Sequence, residues 1–350
     1  MFSKFIETAK IVKKCQYGMY DYVFEQYPYV MIFKTTNYCW YNCVHCCENA
    51  GTRNQKKFMP KPVITNIIDQ AIKDKSFSRI VVFTGGELMS AYKFADKNYV
   101  PNLINHALDA GCVVDIKTNA AWINFPLANQ IFNDIENIAQ KHANVNDNSN
   151  EKTFIDFQVS LSLDRFHKNA LNNDLEFIKH FAHTDIPGVE FHIHINSFEQ
   201  DRYMFYELIQ KLVESGITIR ELPGFNSGKT VFFMCNLDNN VAVNYSETKL
   251  FYGGRAKNMK SVNKPLAQEF DFISNDTESL VAFDSFGNVT LGENFDGNIA
   301  TSWYDGKAVK PLETIKSELS NNIRQAEQNF LQQHQVLNKC FNLARKFSVK

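Results

Sequence analysis

Residues 33–47 read FKTTNYCWYNCVHCC. Four of the chain's eight cysteines fall inside this stretch, at 39, 43, 46 and 47. The run that leads into it, YVMIFKTT (29–36), is apolar and reads as a buried strand, so the thiols stand on the loop that leaves a strand. Thiols crowded this closely are bridged, hold a metal or are reactive. The compartment narrows the choice. The N-terminus, MFSKFIETAKIVKKCQYGMYDYVF, lacks a continuous apolar core and a small-residue cleavage site, and reads as an amphipathic helix. No window approaches eighteen unbroken apolar residues, so no bilayer span and no membrane partner are expected. A cytoplasmic protein is expected, where clustered cysteines are more often metal ligands or catalytic groups than disulfides.

Outward from the loop, short apolar runs alternate with helical patterns. RIVVFTGGE (79–87), CVVDIKTN (112–119), FIDFQVSLSLD (154–164), VEFHIHINSF (189–198) and ITIRELP (217–223) read as strands. Between them lie the helical patterns VITNIIDQAIKD (63–74), VPNLINHALDAG (100–111), PLANQIFNDIENIAQKHA (126–143), a helix around 175–183 and one around 203–216. Strand and helix in strict alternation mean parallel βα units, about six of them. The polar NVNDNSNEK (144–152) is a loop. After Pro223 the rhythm changes: 224–310 are rich in Asn, Asp, Gly and Ser, and SLVAFDSFGNVTLGENF (279–295) reads as a hairpin turned at Phe286-Gly287-Asn288. Residues 311–348 read as a helix packed on its own domain, with Ile315, Leu319, Ile323, Ala326, Phe330 and Leu337 at roughly helical spacing. The expected fold class is α/β. A helical segment (1–28) precedes a set of βα units (29–223), and a smaller α+β extension with a terminal helix follows (224–350).

Composition excludes little. With 350 residues, 44% hydrophobic and 21% charged, the chain can bury a large core. A formal net charge of −1 gives no global argument for nucleic acid, and none is expected as a partner. Thirty Phe and fourteen Tyr read first as an aromatic core.

Cys39, Cys43 and Cys46 stand at C-x3-C-x2-C and can converge on one cluster face. A structural zinc commonly wants two separated C-x2-C pairs, and here Cys15, Cys112, Cys235 and Cys340 are all isolated. Cys47 follows Cys46 directly and is a poor fourth ligand to the same metal. An iron–sulfur cluster held by three thiolates fits better, and a [4Fe–4S] cluster so held keeps one iron open for a ligand. Placed after a first strand, this pattern resembles the radical S-adenosylmethionine (radical SAM) superfamily. Thr36, three residues before Cys39, matches the family's usual lead-in, and His45 stands where members usually carry an aromatic residue near the adenine. The resemblance implies that the amino and carboxylate groups of S-adenosylmethionine (SAM) chelate the open iron. One electron then cleaves its S–C5′ bond, and the resulting 5′-deoxyadenosyl radical takes a hydrogen atom from the substrate. An electron donor such as flavodoxin or ferredoxin is implied with it.

Further motifs extend the resemblance. Thr84-Gly85-Gly86-Glu87 ends the second strand where the family carries Gly-Gly-Glu. Glycines allow close backbone approach, and Glu87 can accept from an ammonium, which suits the methionine end of SAM. Asn119 resembles the Thr-Asn that closes the third strand. Ser160, Ser162 and Asp164 share one face of the fourth and resemble a Ser-x-Asp ending that faces SAM. Asn196 on the fifth is a further candidate for the SAM side. His192 and His194 share its face; with no carboxylate placed to complete a second metal site, they read as hydrogen-bonded interior residues. The resemblance covers about 30–223 and implies a partial (β/α)6 barrel. Trp40, where many members have Asn, and the extra Cys47 depart from the pattern.

In the last third, Gly254-Arg255-Ala256 and the hairpin with Gly297-Asn298-Ile299 resemble radical SAM proteins with a SPASM or twitch extension. Leu291 and Gly292 stand where SPASM members carry auxiliary-cluster cysteines, so the extension is expected to lack those clusters and to serve as a substrate-binding cap. Arg255 is a candidate to meet the SAM carboxylate or the substrate. Cys235, in the apolar VFFMCNL, reads as a buried thiol; the sharper reading is a hydrogen-atom donor to a substrate radical. Cys112 reads as core. The substrate expected by analogy is a ribosomally made peptide or protein, crosslinked or epimerised. A small-molecule substrate, activation of another enzyme by glycyl-radical formation, a non-catalytic iron–sulfur or zinc protein and a degenerate peptide-binding scaffold are the alternatives; the intact triad and the Gly-Gly-Glu run speak against the last.

Overall fold

The computed structural model describes residues 29–75, 77–143, 153–227, 230–238, 240–248, 254–259, 280–291, 300–303 and 308–333. The expected N-terminal helical segment, the loop at 144–152, Gly292, the Gly297-Asn298-Ile299 run, Cys15, Cys340 and the helix beyond Gln333 lie outside these residues.

Five strands stand side by side in chain order and parallel: β1 (Tyr29–Thr36), β2 (Phe77–Gly85), β3 (Val113–Thr118), β4 (Thr153–Ser162) and β5 (Val189–Phe198). The connections carry α1 (Lys61–Ala71), α2 (Tyr99–Asp109), α3 (Ala128–Lys141) and α4 (Ala170–His183), with α5 (Arg202–Glu214) after β5. Each parallel step needs a long crossover, and an amphipathic helix supplies it while covering one face of the sheet. The strands alternate accordingly. Along β5, Val189, Phe191, Ile193, Ile195 and Ser197 are buried beneath the helices, while Glu190, His192, His194, Asn196 and Phe198 on the other face are half-buried.

The sixth parallel strand is not the one expected. Residues from Ile219 form β6 (Ile219–Ser227), an edge strand paired antiparallel with β7 (Thr230–Leu237). The place beside β5 is taken by β8 (Val241–Thr248), parallel to β5 and antiparallel to β7. β8 reads VAVNYSET: Val241, Val243 and Tyr245 enter the core, while Asn244 and Ser246 alternate to the other face. That alternation sits inside a stretch rich in Asn and Asp, which masks it in the sequence.

The sheet also continues past β1. β9 (Leu280–Asp284) lies parallel to β1 and leads through the expected turn into β10 (Asn288–Leu291), with β11 (Ala300–Ser302) beyond. Gly287 has φ +104°, a conformation that favours glycine, and Asp284 Oδ1 accepts from the backbone N–H of Phe286 and Asn288. The described strands run in the order β11-β10-β9-β1-β2-β3-β4-β5-β8-β7-β6, a mixed, mostly parallel sheet that stays open. This is the expected α/β class with a partial barrel. The C-terminal helix α6 (Leu312–Gln333) buries Leu312, Ile315 and Leu319. It is tied to α1 and the turn after it by Leu312 N–Gln70 Oε1 (2.8 Å) and Lys316 Nζ–Asp74 Oδ2 (2.6 Å), so it packs against the first helix of the βα units.

The Phe content is core. Phe33, Phe83, Phe157, Phe177, Phe181, Phe191, Phe205 and Phe283 are fully buried, and Phe181 of α4 stacks on Phe191 of β5 at 4.2 Å. Each such ring contributes about 1.5–3 kcal/mol by burial. Cys112 is core as expected. No helix among the described residues is long and apolar enough to cross a membrane.

Candidate functional site

The cysteine loop leaves the C-terminal end of β1, the end at which open parallel sheets bind ligands. Thr36 caps its start: its hydroxyl donates to Lys57 O (2.8 Å) and accepts from Tyr38 N (3.1 Å). The loop then folds on itself. Cys46 N donates to Cys43 O (3.2 Å), and Gly51 N donates to Asn37 O (3.2 Å). Asn42 holds Thr52 through both side-chain atoms, accepting from Thr52 N (3.1 Å) and donating to its hydroxyl (2.8 Å).

The Gly-Gly-Glu run is the loop's main support. Gly86 N donates to Thr36 O (2.7 Å) and Glu87 N to Tyr38 O (2.8 Å). A Cβ on Gly85, whose φ is +121°, would lie 2.4 Å from Thr36 O, and one on Gly86 would lie 2.0 Å from Tyr38 O. The glycines therefore let the end of β2 press against the loop's own backbone. Glu87 does not reach the cavity as the sequence suggested. Its carboxylate is fully buried and accepts from Met89 N (3.1 Å), Thr118 Oγ1 (2.9 Å) and Asn119 N (3.0 Å). These bonds set Asn119, whose Nδ2 donates to Cys39 Sγ (3.4 Å); Tyr41 N donates to the same sulfur (3.4 Å).

Burial pushes the Glu87 carboxyl up to about 7, against three donors that favour its ionised form. A raised folded-state value means that the folded chain holds the proton after the unfolded chain has lost it. Stability should then fall as pH rises from about 4.5 to about 7, with a slope approaching 1.4 kcal/mol per unit. Glu87→Gln removes that slope and costs about 1–3 kcal/mol by setting an amide N–H against a buried donor. Urea unfolding of both chains at pH 5 and pH 8 checks this; a stability difference that does not change with pH would mean that the donors outweigh burial.

Across from the loop stand the ends of β4 and β5. Asp164 closes a turn, its Oδ1 accepting from Phe166 N (2.8 Å) and His167 N (3.1 Å), and its Oδ2 lies 2.7 Å from His167 Nδ1. His167 is held protonated: burial opposes the charge, but Asp164 and Cys43 together raise it to about 10. His45 stacks on Phe166 at 4.6 Å, and burial lowers it to about 4, so it is neutral near pH 7. Asn196 Oδ1 accepts from Ser246 Oγ (3.2 Å), and His194 Nε2 lies 2.8 Å from Ser246 Oγ, so His194 is the hydrogen-bonded interior residue expected.

A cavity of about 320 Å³ gathers these groups, within the usual size range of small-molecule sites. Cys39, Cys43, His45, Cys46, Thr84, Gly85, Gly86, Asn119, Ser162, Asp164, Asn196 and Arg255 all line it, as does the extra Cys47. Three expected residues do not. Glu87 lies behind the wall. Ser160 sits one pleat lower on β4, its hydroxyl donating to Asp115 Oδ1 (2.6 Å). Cys235 is fully buried in the core of β7, opposite Val243, where a hydrogen-atom donor has no access to the cavity. Arg255 lines the cavity and also holds main-chain carbonyls, with Nε donating to Cys43 O (2.8 Å) and Nη2 to Ala50 O (2.6 Å). The sequence reading missed Lys117, Thr118, His167, Ser197 and Phe198 as lining residues. The Asp164-x-x-His167 spacing was the available signal for His167.

The donor set fits a polynuclear cluster better than one ion. Among the described residues, the trio of potential ligand atoms within 4.8 Å of one another is His45, Asp164 and His167, not the three thiols. A single tetrahedral zinc with bonds of about 2.3 Å needs sulfurs about 3.8 Å apart. Two N–H donors aimed at Cys39 Sγ would suit a thiolate ligand, whose charge such bonds stabilise. As a bare thiol, Cys39 is pushed by burial to about 12 and stays protonated; bound metal removes that proton.

No protein-family model matches the chain, and no curated protein does. Among solved structures, it is similar to Streptococcus suis SuiB bound to S-adenosylmethionine, at 15% identity and TM-score 0.48, covering 85% of this chain and 68% of that one. SuiB bound to its precursor peptide SuiA matches at 13% identity and TM-score 0.41, over 89% and 70% of the two chains. Native anSMEcpe with bound AdoMet matches at 12% identity and TM-score 0.44, over 85% and 82%. In a further SuiB structure the chain spans 60% of that protein's length.

Proposed function

We propose that this protein is a radical SAM enzyme that acts on a ribosomally made peptide or protein. The observation that carries the reading is one convergence. Cys39, Cys43 and Cys46 on the first loop meet the Gly85-Gly86 turn, Asn119, Ser162, Asp164 and Asn196 around a single cavity at the strand ends. Five segments distant in sequence supply it, which a chance C-x3-C-x2-C would not do.

Cys39, Cys43 and Cys46 would hold a [4Fe–4S] cluster, and Thr84 to Gly86 would border the methionine end of SAM. When bound, the cluster and SAM supply one-electron cleavage and hydrogen-atom abstraction. The chain's own residues do the rest. Asn119 Nδ2 and Tyr41 N stabilise charge on Cys39. Neutral His45, backed by the Phe166 ring, and Phe198 give an apolar, aromatic border suited to a planar base. Asp164, kept ionised by His167, offers an acceptor at the cavity wall. The peptide substrate rests on the resemblance of the C-terminal hairpin and of Gly254-Arg255-Ala256.

The test is anaerobic. The purified chain is reconstituted with iron and sulfide, reduced with dithionite and given SAM, and 5′-deoxyadenosine is measured by chromatography. Product that requires both reductant and cluster supports the reading. A protein that retains zinc and takes up no iron overturns it in favour of a non-catalytic metal site, for which His45, Asp164 and His167 are the candidate ligands.

A further inference from the structure

Four main-chain groups of the cysteine loop converge on one dipeptide. Arg255 N donates to Cys46 O (2.9 Å), Arg255 Nε to Cys43 O (2.8 Å) and Arg255 Nη2 to Ala50 O (2.6 Å). The fourth group is Cys47 O: a Cβ on Gly254 would lie 2.5 Å from it and 2.6 Å from Cys46 O, and Gly254 has φ +45°. More than 200 residues separate the two segments in the chain. The dipeptide opens a short 3₁₀ turn, Gly254–Asn258, whose Ala256 is fully buried. Arg255 therefore has a fixed base, and its planar fork reaches two carbonyls at once, which an ammonium on a flexible stem does not do.

We propose that Gly254-Arg255 is a clamp that sets the shape of the cysteine loop and places one fixed positive charge beside its metal centre. Arg255 is thus a positioning residue for the cysteine loop. The two carbonyls that its side chain holds bracket the segment from Cys43 to Ala50, so the clamp fixes the spacing of the Cys43 and Cys46 sulfurs. The charge favours an added electron on any cluster there. The inference deepens the radical SAM reading and rests on it for the cluster, but the clamp itself is testable without metal.

Three chains are compared: the parent, Arg255→Met and Arg255→Lys. In the metal-free proteins, hydrogen exchange is followed at the amides of Cys39, Cys46, Gly51 and Thr52, which the loop's own bonds protect. Arg255→Met is expected to speed exchange there by roughly 10–100-fold, the loss of one to two charge-assisted bonds, with exchange in α2 and α4 unchanged. In reconstituted proteins, the cluster's midpoint potential, read by EPR-monitored titration, is expected to move negative in Arg255→Met. In Arg255→Lys the potential returns towards the parent value while the loop stays loosened, because lysine restores charge but not the fork. Should Arg255→Met unfold, Arg255→Lys still decides by its loop exchange. Parent-like loop exchange in the soluble variants overturns the clamp, and an unchanged potential in Arg255→Met overturns the placement of its charge. If the parent takes up no iron, the radical SAM reading fails, and loop exchange still judges the clamp.

Discussion

Cys43→Ala is expected to abolish SAM cleavage. A cluster held by Cys39 and Cys46 alone would lose one of its three protein ligands, and the Cys43 side chain also hydrogen-bonds His167. Loss of an outer-shell partner costs a metal site up to about 100-fold in affinity or activity, and loss of a ligand costs more than that. The measurement sets iron per chain and 5′-deoxyadenosine formed against the parent chain. The expected result is sub-stoichiometric iron and a fall of more than about 100-fold in product, with the circular dichroism of the metal-free chain unchanged. Near-parent iron and product in Cys43→Ala would mean that the first loop is not the cluster site. Cys47→Ala serves as the internal control. Cys47 lines the cavity directly after Cys46, but the C-x3-C-x2-C triad is complete without it. It is expected to leave iron uptake near the parent level.

Gly86→Ala is the second large effect, and it acts on the fold. The added methyl would sit 2.0 Å from Tyr38 O and 2.6 Å from Tyr38 C, both main-chain atoms that cannot rotate aside. Relief requires the end of β2 to move away from the loop. That movement breaks Gly86 N–Thr36 O and Glu87 N–Tyr38 O together and drags the Glu87 carboxylate off Thr118 and Asn119. Overlap with backbone and loss of a buried network are both on the short list of strongly destabilising mechanisms, so a cost of about 3–5 kcal/mol is expected. For a chain of this size the melting temperature should drop on the order of 5–10 °C. Differential scanning calorimetry of the metal-free chain checks it. A drop below about 2 °C would mean that the two segments are not pressed together. Gly188→Ala is the contrasting case: Gly188 has φ +74° and an added Cβ there meets nothing within 4 Å, so it tests backbone conformation alone, whereas Gly86 lies outside the positive-φ region and Gly86→Ala tests contact alone.

The sequence alone determined what depends on local pattern. Each parallel strand from 29 to 198 and each helix between them follows from runs of apolar residues at period two or 3.6, because a half-buried element must repeat its buried face at its own pitch. The cysteine triad was legible for a similar reason: ligands on one short loop carry their spacing in the chain. The same holds for the glycines at 85 and 86, where a side chain has no room. Tertiary structure decided the rest. Whether Ile219 or Val241 opens the sixth parallel strand depends on which of two β-patterned segments pairs with β5, and pairing between distant strands leaves no mark at either position. Glu87 looked like a group for a ligand because a carboxylate in a Gly-Gly-Glu run can accept from an ammonium; one donor from its own turn and two from the end of β3 turned it into a buried support. Cys235 faced the core rather than the cavity because β7 runs antiparallel beside β8, which fixes its side. Arg255 needed the largest fold-level fact of all, the return of a segment more than 200 residues away onto the backbone of the cysteine loop. Local residues carry the chemistry of the site in their types. Their orientation is set by long-range hydrogen bonds and contacts that only the folded chain brings within reach.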